Sequence, residues 1–184
     1  TINQYNVSYN GNGNTGGTVP IDSSSPYDYN TSSTVLGDTG SLKRIGYVFA
    51  GWNTQADGSG TSYSAGNIFT MPANNVTLYV LWHKLPTVTT QAVTEITMIT
   101  ATANGNVTDL GVSNLTQYGH VWGRSENPTI NGNKTELATK SATGAYTSSL
   151  TGLSPGTKYY VRAYAINEAG TAYGDQMSFT TFSE

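Results

Sequence analysis

The side chains in this sequence that could transfer protons are two histidines and eleven carboxylates. General acid–base catalysis needs such groups within reach of one substrate, and glycoside hydrolysis needs a carboxylate on each side of the bond that breaks. His83 and His120 lie in different halves of the chain, and we interpret them as a linker residue and a strand residue. The carboxylates are scattered, and no Gly-x-Ser-x-Gly turn for a serine nucleophile is present. The sequence therefore predicts a protein without catalytic residues, not an enzyme.

Two loops resemble ligand-binding loops in composition only. The segment NTQADGSG places Asn53, Asp57 and Ser59 close together, as in a calcium loop. It lacks the alternating acidic positions and the distant bidentate Glu, and Asp-Gly is the ordinary signal of a tight turn. The segment GNGNTGG has the glycine content of a phosphate loop, but no Lys-Ser or Lys-Thr pair follows it. We predict two plain turns, with no metal site and no cofactor.

The composition limits the kinds of partner. Only 10% of the residues are charged and the net charge is −3, whereas a nucleic-acid partner requires an excess of Lys and Arg. No apolar run is long enough to cross a bilayer, so we expect no membrane insertion within this segment. Cysteine is absent, which excludes disulfides and cysteine-based zinc sites, although a secreted domain of this size can fold without disulfides. Thirteen Tyr and 21 Gly favour strands and turns.

Alternating apolar residues predict short strands in the first half of the chain. Within residues 2–9, Tyr5, Val7 and Tyr9 share one face, as in a half-buried strand. The Asn-Gly turn that follows favours a return strand over residues 18–22. Its proline would place that strand at the edge of a sheet, because proline cannot donate a ladder hydrogen bond.

The rest of the first half predicts one loop, one helix and two strands. Residues 22–33 show no clear periodicity and are predicted to be a loop. Residues 38–47 contain capping residues and two apolar residues three apart, which predicts a short helix ending in a left-handed Gly46. Residues 47–52 and 75–82 are apolar enough to form strands.

Three aromatic residues in GYVFAGWNT raise the choice between a ligand platform and a core. Tyr47 and Phe49 share a strand face, and Trp52 joins them only if Gly51 bends the strand. We predict a core, because a small domain has few other large side chains to bury. The other predicted core residues are Tyr5, Val7, Val19, Leu42, Ile68, Leu78, Tyr79 and Trp82.

The segment HKLP, residues 83–86, is the predicted boundary between two domains, 1–83 and 84–184. Beyond it the strands become more evenly spaced, with turn signals between them, which indicates an antiparallel sandwich. The predicted strands are residues 87–93, 97–107, 116–125, 146–153, 157–167 and 172–181.

Five segments of the first half carry a recognisable pattern: YNVSYNGNG, GGTVP, GYVFAGWNT, ADGSGTSY and MPANNVTLYVLW. They resemble the Listeria–Bacteroides repeat of internalin-type surface proteins over residues 5–82, and Gly-Tyr-x-Phe-x-Gly-Trp is the most specific motif. The resemblance implies a small β-grasp-like domain, with little helix, on a secreted or wall-anchored bacterial protein.

The second half contains LSPGTKYY, then VRAYAINEAG and FTT. These segments resemble a fibronectin type III domain, which implies an immunoglobulin-like β-sandwich and hence a mainly β protein. In such a sandwich a tyrosine corner forms: Pro155 and Gly156 turn the chain between sheets, and the Tyr159 hydroxyl bonds to backbone just upstream. The second strand lacks the Trp of many members, and we expect Trp122 in the third strand to take over part of its packing.

The resemblance also defines a candidate contact surface on two neighbouring strands. If Val121 points inward together with Tyr159, six side chains form an exposed aromatic patch with one cation, suited to a glycan or a protein. The alternative is that the face carrying Trp122 belongs to the core, because a lone Trp in a sandwich is usually packed. The six residues are Tyr118, His120, Trp122, Tyr160, Arg162 and Tyr164.

Together these observations predict a non-catalytic fragment of a bacterial secreted or cell-surface multidomain protein. The chain lacks a starting Met and a leader, so we expect it to be a piece of a longer extracellular protein. We also expect it to be a monomer. Its role would be adhesion, spacing or contact with an unknown protein or glycan partner. The alternative is a carbohydrate-binding accessory module of a secreted glycan-active enzyme, which a planar row of aromatics would favour. An enzyme would need a pocket with converging carboxylates.

Overall fold

The computed structural model describes residues 3–184, and every regular element in that range is a β-strand. The prediction of a mainly β protein is therefore confirmed. The chain divides into two compact units, Thr1–His83 and Lys84–Glu184. The predicted first strand begins at Ile2, which lies outside the described residues.

From residue 3 onward, the first unit contains eight short strands in three sheets. The central sheet has the order β2-β8-β5-β6, and β2 runs parallel to β8 with Val7 opposite Val76. Two further pairs, β1 with β3 and β4 with β7, are antiparallel. The strands are β1 (Gln4–Tyr5), β2 (Val7–Asn10), β3 (Tyr27–Asp28), β4 (Ser32–Thr34), β5 (Tyr47–Asn53), β6 (Ser62–Tyr63), β7 (Ile68–Thr70) and β8 (Val76–Lys84).

Several local predictions for the first unit are wrong. Residues 18–22 form no strand, and the predicted loop at 22–33 contains β3 and the start of β4. Residues 38–47 form no helix, because Ser41 has a left-handed backbone with φ 52° and Lys43 pairs with the distant Gly16 instead. The capping residues there shape a turn: the Asp38 carboxylate accepts the backbone N–H of Leu42. His83, interpreted as a linker residue, lies within β8.

Two of the three aromatics of GYVFAGWNT, Phe49 and Trp52, belong to the core as predicted, whereas Tyr47 is half-buried outside the core cluster, with the Arg44 guanidinium over its ring. Trp52 is fully buried, and its ring meets those of Tyr9 and Phe49 edge to face at 4.7 and 5.3 Å between centroids. Gly51 makes this possible, because its φ of 122° bends β5 and brings Phe49 and Trp52 together. The indole N–H of Trp52 donates to the carbonyl of Leu36 at 2.9 Å.

Some of the other predicted core residues of this unit are buried and some are not, depending on the face of the strand on which they lie. Leu78 and Val80 are buried, whereas Tyr79 on the opposite face of β8 is only half-buried. Ile68, a predicted core residue, is 66% exposed. Val35, Met71 and Val80, which were not predicted as core residues, complete the buried cluster.

The second unit is an antiparallel sandwich of two sheets. One has the order β13-β10-β9, and the other has the order β12-β11-β14-β15 with β16 also paired to β14. This strand order agrees with the β-sandwich that the resemblance to a fibronectin type III domain implies. The strands are β9 (Thr87–Thr94), β10 (Ala101–Asp109), β11 (Gln117–Gly123), β12 (Asn133–Lys134), β13 (Gly144–Leu150), β14 (Lys158–Asn167), β15 (Gly170–Tyr173) and β16 (Met177–Thr180).

The predicted strands of this unit are recovered with two corrections. Residues 97–100 form a turn, in which the Thr97 hydroxyl accepts the N–H of Thr100, so β10 begins only at Ala101. The predicted strand 172–181 is two strands, β15 and β16, because the chain leaves the sheet between Tyr173 and Met177. The two-residue β12 has no counterpart among the predicted strands.

The tyrosine corner is confirmed. The hydroxyl oxygen of Tyr159 accepts the backbone N–H of Ser154 at 3.0 Å, five residues upstream. The half-buried Trp122 packs against a buried cluster that includes Ala101 of β10 and Leu150 of β13. Trp122 therefore fills space next to the strand that lacks a Trp, as expected.

Candidate functional site

The six predicted contact residues lie on two opposite faces of the sheet that contains β11 and β14. Residues directly opposite each other in an antiparallel pair project to the same side. Three of the six face the core, opposite fully buried residues: Tyr118 is paired with Ala165, His120 with Ala163 and Trp122 with Val161. The other three face outward: Tyr160, Arg162 and Tyr164. The prediction of a single exposed patch is therefore wrong, and the alternative, in which the Trp122 face belongs to the core, is confirmed.

His120 is a buried structural residue. Its side chain is fully buried, and Nδ1 lies 2.8 Å from the hydroxyl oxygen of Ser148 in the opposite sheet. Thr135 ties the pair together, because its hydroxyl donates to Ser148 and accepts the backbone N–H of His120. Burial lowers the pKa of His120 to about 4. The imidazole is thus neutral at pH 7 and out of reach of a substrate.

Gly105 in β10 provides the space for this arrangement. A Cβ atom at this position would lie 2.8 Å from Cζ of Tyr146 and 3.0 Å from Nε2 of His120. Both distances are shorter than normal contacts between carbon and heavy atoms. A glycine inside a strand often marks such a close approach. Gly105, in the sequence ANGNV, was therefore the signal from which a large side chain packed against β10 could have been predicted.

The outward face is occupied by internal contacts. The Nε of Arg162 donates to the carbonyl of Gly174 at 2.9 Å, and its guanidinium lies 4.5 Å from the ring centroid of Tyr173. Tyr164 is fully buried, and its hydroxyl donates to the carbonyl of Thr135 at 2.7 Å. Tyr160 is half-buried beneath the ammonium group of Lys158. Two of the three outward residues are thus held by contacts that leave little for a ligand.

A groove at one end of the sandwich is the more accessible feature, and sequence reasoning missed most of it. It has a volume of about 310 Å³, at the lower end of the range for small-molecule sites. Trp122, near the end of β11, and Arg124, in the bend that follows it, both line the groove. The other lining residues with polar groups are Asn133, Thr151, Ser154 and Tyr159.

The loop with some likeness to a calcium site is a tight turn, as predicted. The Asp57 carboxylate accepts both the backbone N–H and the hydroxyl of Ser59, at 3.0 and 2.6 Å. These hydrogen bonds lower the pKa of Asp57. Across residues 3–184 no group of three or more His, Asp or Glu side chains is arranged to hold a metal ion. In the same range no helix is long and apolar enough to cross a membrane.

Comparison with known proteins finds matches to the first unit. Residues 5–80 match the Listeria-Bacteroides repeat domain. Two relatives from Evansella cellulosilytica, one named a candidate membrane protein and one a candidate Gly-rich membrane protein, are 40% and 39% identical over 82 residues. This stretch is 45% of the chain but only 12% and 9% of the two relatives, so the chain spans a small part of their length.

Among solved structures, one similar fold extends over nearly the whole chain. A DUF3823 family protein from Bacteroides uniformis matches with a TM-score of 0.50, covering 98% of this chain and 100% of that one. The two sequences are 13% identical, so the likeness concerns the fold alone. Both resemblances drawn from the sequence motifs are consistent with the observed strands.

Proposed function

We propose that this chain, a Listeria–Bacteroides repeat followed by a fibronectin type III-like domain, is a non-catalytic segment of a multidomain protein at the bacterial cell surface. Its two domains add length to the parent protein and present contact surfaces outside the cell. The observation that carries this proposal is that each unit closes its own core. Trp52 is the centre of the first core, and Val161 and Ala163 are fully buried in the second.

The use of the bulky and titratable side chains supports a structural role. Aromatic side chains bury large areas and dominate the energetics of small cores. Tyr9, Trp52 and Tyr146 are each less than a tenth exposed, and His120 is buried in neutral form. These buried side chains stabilise the core of each domain and are not available to a reaction.

The relatives support a location at the cell surface. The matching segment is a small part of two much longer proteins whose names describe them as candidate membrane proteins. A β domain of this kind within a long envelope protein is suited to spacing or contact. The planar row of aromatics that would favour an accessory module of a glycan-active enzyme does not form from the six predicted residues, because they face opposite sides of a sheet.

The location can be tested by labelling cells with antibodies raised against this chain. We expect intact cells of the source organism to be labelled as strongly as permeabilised cells, and brief protease treatment of intact cells to remove the signal. A cytoplasmic protein is the matched control and should be labelled only after permeabilisation. Labelling of this chain only after permeabilisation would contradict the proposal.

The spacer role can be tested by stretching single molecules of the whole chain. Two separately closed cores should give two separate unfolding events. Trp52→Ala should weaken or remove the first-unit event and leave the other unchanged, since removing a buried Trp costs about 3–5 kcal/mol. A single event that Trp52→Ala abolishes entirely would show that the units do not bear load independently.

A further inference from the structure

The groove beside Trp122 presents unused polar groups at the end of the sandwich. The chain contains three tryptophans. The indole N–H of Trp52 donates to the carbonyl of Leu36 at 2.9 Å, and that of Trp82 donates to the carbonyl of Gly11 at 3.0 Å. Within the described residues the indole N–H of Trp122 has no such partner, and it is not among the buried unpaired atoms. It is therefore a donor open to solvent in the groove.

Arg124 is fixed in place with donors to spare. Its Nη2 donates to the hydroxyl of Ser154 at 2.6 Å, and its guanidinium carbon lies 5.9 Å from the ring centroid of Tyr159. A guanidinium group has five N–H donors in a planar fork, of which these neighbours occupy only a part. The side chain is exposed, so the remaining donors face solvent. This preorganised fork matches the two oxygens of a carboxylate.

The rest of the lining indicates the kind of molecule that carries the carboxylate. Asn133, Thr151 and Ser154 offer amide and hydroxyl groups, which pair with hydroxyl groups of a ligand. Trp122 offers an aromatic edge and an N–H, which suit a ring with an apolar C–H face. None of the described residues that line the groove is negatively charged. The complementary ligand is thus a hydroxylated ring that bears a negative charge.

We propose that this groove binds a uronic acid residue of an acidic saccharide. The Arg124 guanidinium binds the carboxylate, Trp122 contacts the sugar ring, and Asn133 and Thr151 bind its hydroxyl groups. This site goes beyond the proposed function, because a spacer needs no ligand of its own. The chemistry is the same whether the uronate belongs to a free oligosaccharide or to a polymer of a cell surface.

The test uses the whole chain, with trigalacturonic acid as the probe and its methyl ester as the uncharged control ligand. In a two-dimensional ¹H–¹⁵N spectrum we expect the acid to shift the indole signal of Trp122 and to leave those of Trp52 and Trp82 in place, since both are already bonded inside the first unit. The methyl ester should bind at least about tenfold more weakly, because it removes a charge-assisted hydrogen bond.

Two matched variants complete the test. R124Q should weaken binding of the acid about tenfold or more. K158Q removes an equal charge from the same unit, at a residue whose ammonium lies over Tyr160 outside the groove, and should leave binding unchanged. Unchanged backbone amide signals of Ala163 and Ala165, which are fully buried in the second unit, show that this unit of each variant is folded. The proposal is overturned if the Trp122 indole signal stays fixed at millimolar probe, if acid and ester bind alike, or if R124Q behaves like K158Q. Long polygalacturonate should compete with trigalacturonic acid for the same groove, which the Trp122 indole signal would report.

Discussion

The imidazole Nδ1 of His120 lies 2.8 Å from the hydroxyl oxygen of Ser148, so that side chains of β11 and β13 are joined across the core of the sandwich. The Thr135 hydroxyl donates to Ser148, which leaves the serine's own proton available to the imidazole. The arrangement accepts a neutral histidine and offers no counter-charge to a protonated one. Burial accordingly lowers the pKa of His120 to about 4.

The first prediction concerns the pH dependence of stability. In the unfolded chain His120 has an ordinary pKa of about 6.5, so between that value and its folded pKa of about 4 the unfolded state binds more protons. The contribution of His120 to the free energy of unfolding of the second unit should therefore be largest above about pH 6.5, fall as the pH is lowered and level off below about pH 4. The part due to His120 is roughly 3 kcal/mol. Urea unfolding followed by the Trp122 indole signal measures it.

His120→Asn separates this effect from the other acid-sensitive groups. Asn keeps a side chain that can bond to Ser148 but has no proton to gain. The pKa values of Asp109 and Glu136 are also lowered, through hydrogen bonds from Lys84 and Lys134, and these carboxylates remain in the variant. The difference in stability between wild type and variant should shrink as the pH falls from 7 to 4. A difference that does not change with pH would disprove the assignment.

Much of this sandwich could be predicted from local patterns. The alternation along β11 and β14 correctly grouped Tyr118, His120 and Trp122 on one side of a strand. It could not decide which side faces the core, because that depends on a second sheet far away in sequence. Ser148, which pairs with His120, lies 28 residues further along, and Gly105 in a third strand provides the room. For these reasons His120, a polar residue that was a candidate for an exposed patch, is buried.

In the first unit, too, contacts between distant residues decide a structure that local sequence patterns could not predict. Capping residues and apolar spacing favoured a helix over residues 38–47, and those local signals were present. The backbone instead forms bridges, with Lys43 paired to Gly16, and the left-handed Ser41 interrupts any helical turn. Local propensity is a weak prior that tertiary pairing overrides. The bend at Gly51, in contrast, could be predicted, because a glycine inside a strand often marks a bend or bulge.

The second prediction concerns the tyrosine corner. Tyr159→Phe removes the acceptor of the Ser154 N–H, which leaves a part-buried donor unpaired. The free energy of unfolding of the second unit should fall by about 1–3 kcal/mol. Tyr160→Phe is the matched control, because the neighbouring ring lies on the outward face and its hydroxyl makes no hydrogen bond within residues 3–184. Chemical denaturation followed at Trp122 should show a lower free energy of unfolding only for Tyr159→Phe. Equal losses for both variants would contradict a stabilising role of the Tyr159–Ser154 hydrogen bond.

The third prediction compares two glycines with left-handed backbone in the first unit. Gly46 has φ 78°, and a Cβ at this position would have no atom within 4 Å, whereas a Cβ on Gly51, with φ 122°, would lie 2.7 Å from the carbonyl oxygen of Tyr63. Gly46→Ala should cost about 1 kcal/mol, from backbone conformation alone. Gly51→Ala should cost a further 1–3 kcal/mol or so, because β5 and β6 must move apart. Urea unfolding followed at the Trp52 indole signal measures both, and similar losses would contradict the close approach.

The fourth prediction rests on a buried amide that organises the loop after β5. Asn53 is 1% exposed. Its Nδ2 donates to the carbonyls of Gly58 and Gly60 and to the Ser62 hydroxyl, and its Oδ1 accepts the N–H groups of Gln55 and Gly60. Both ends of the amide are therefore in use, and they are not interchangeable.

Asn53→Asp keeps the shape of this side chain but turns its donor end into an acceptor that faces two carbonyl oxygens. The free energy of unfolding of the first unit should fall by about 3 kcal/mol at pH 7. Because burial among carbonyls raises the pKa of a carboxyl, the loss should shrink as the pH falls and the group gains a proton that it can donate. Asn67→Asp is the control: that exposed side chain accepts the N–H of Ser64 through Oδ1, which a carboxylate also does, so its stability should change by less than about 0.5 kcal/mol. Urea unfolding of both variants at pH 7 and pH 4 decides the matter, and an Asn53→Asp protein as stable as Asn67→Asp would show that the loop does not depend on the amide.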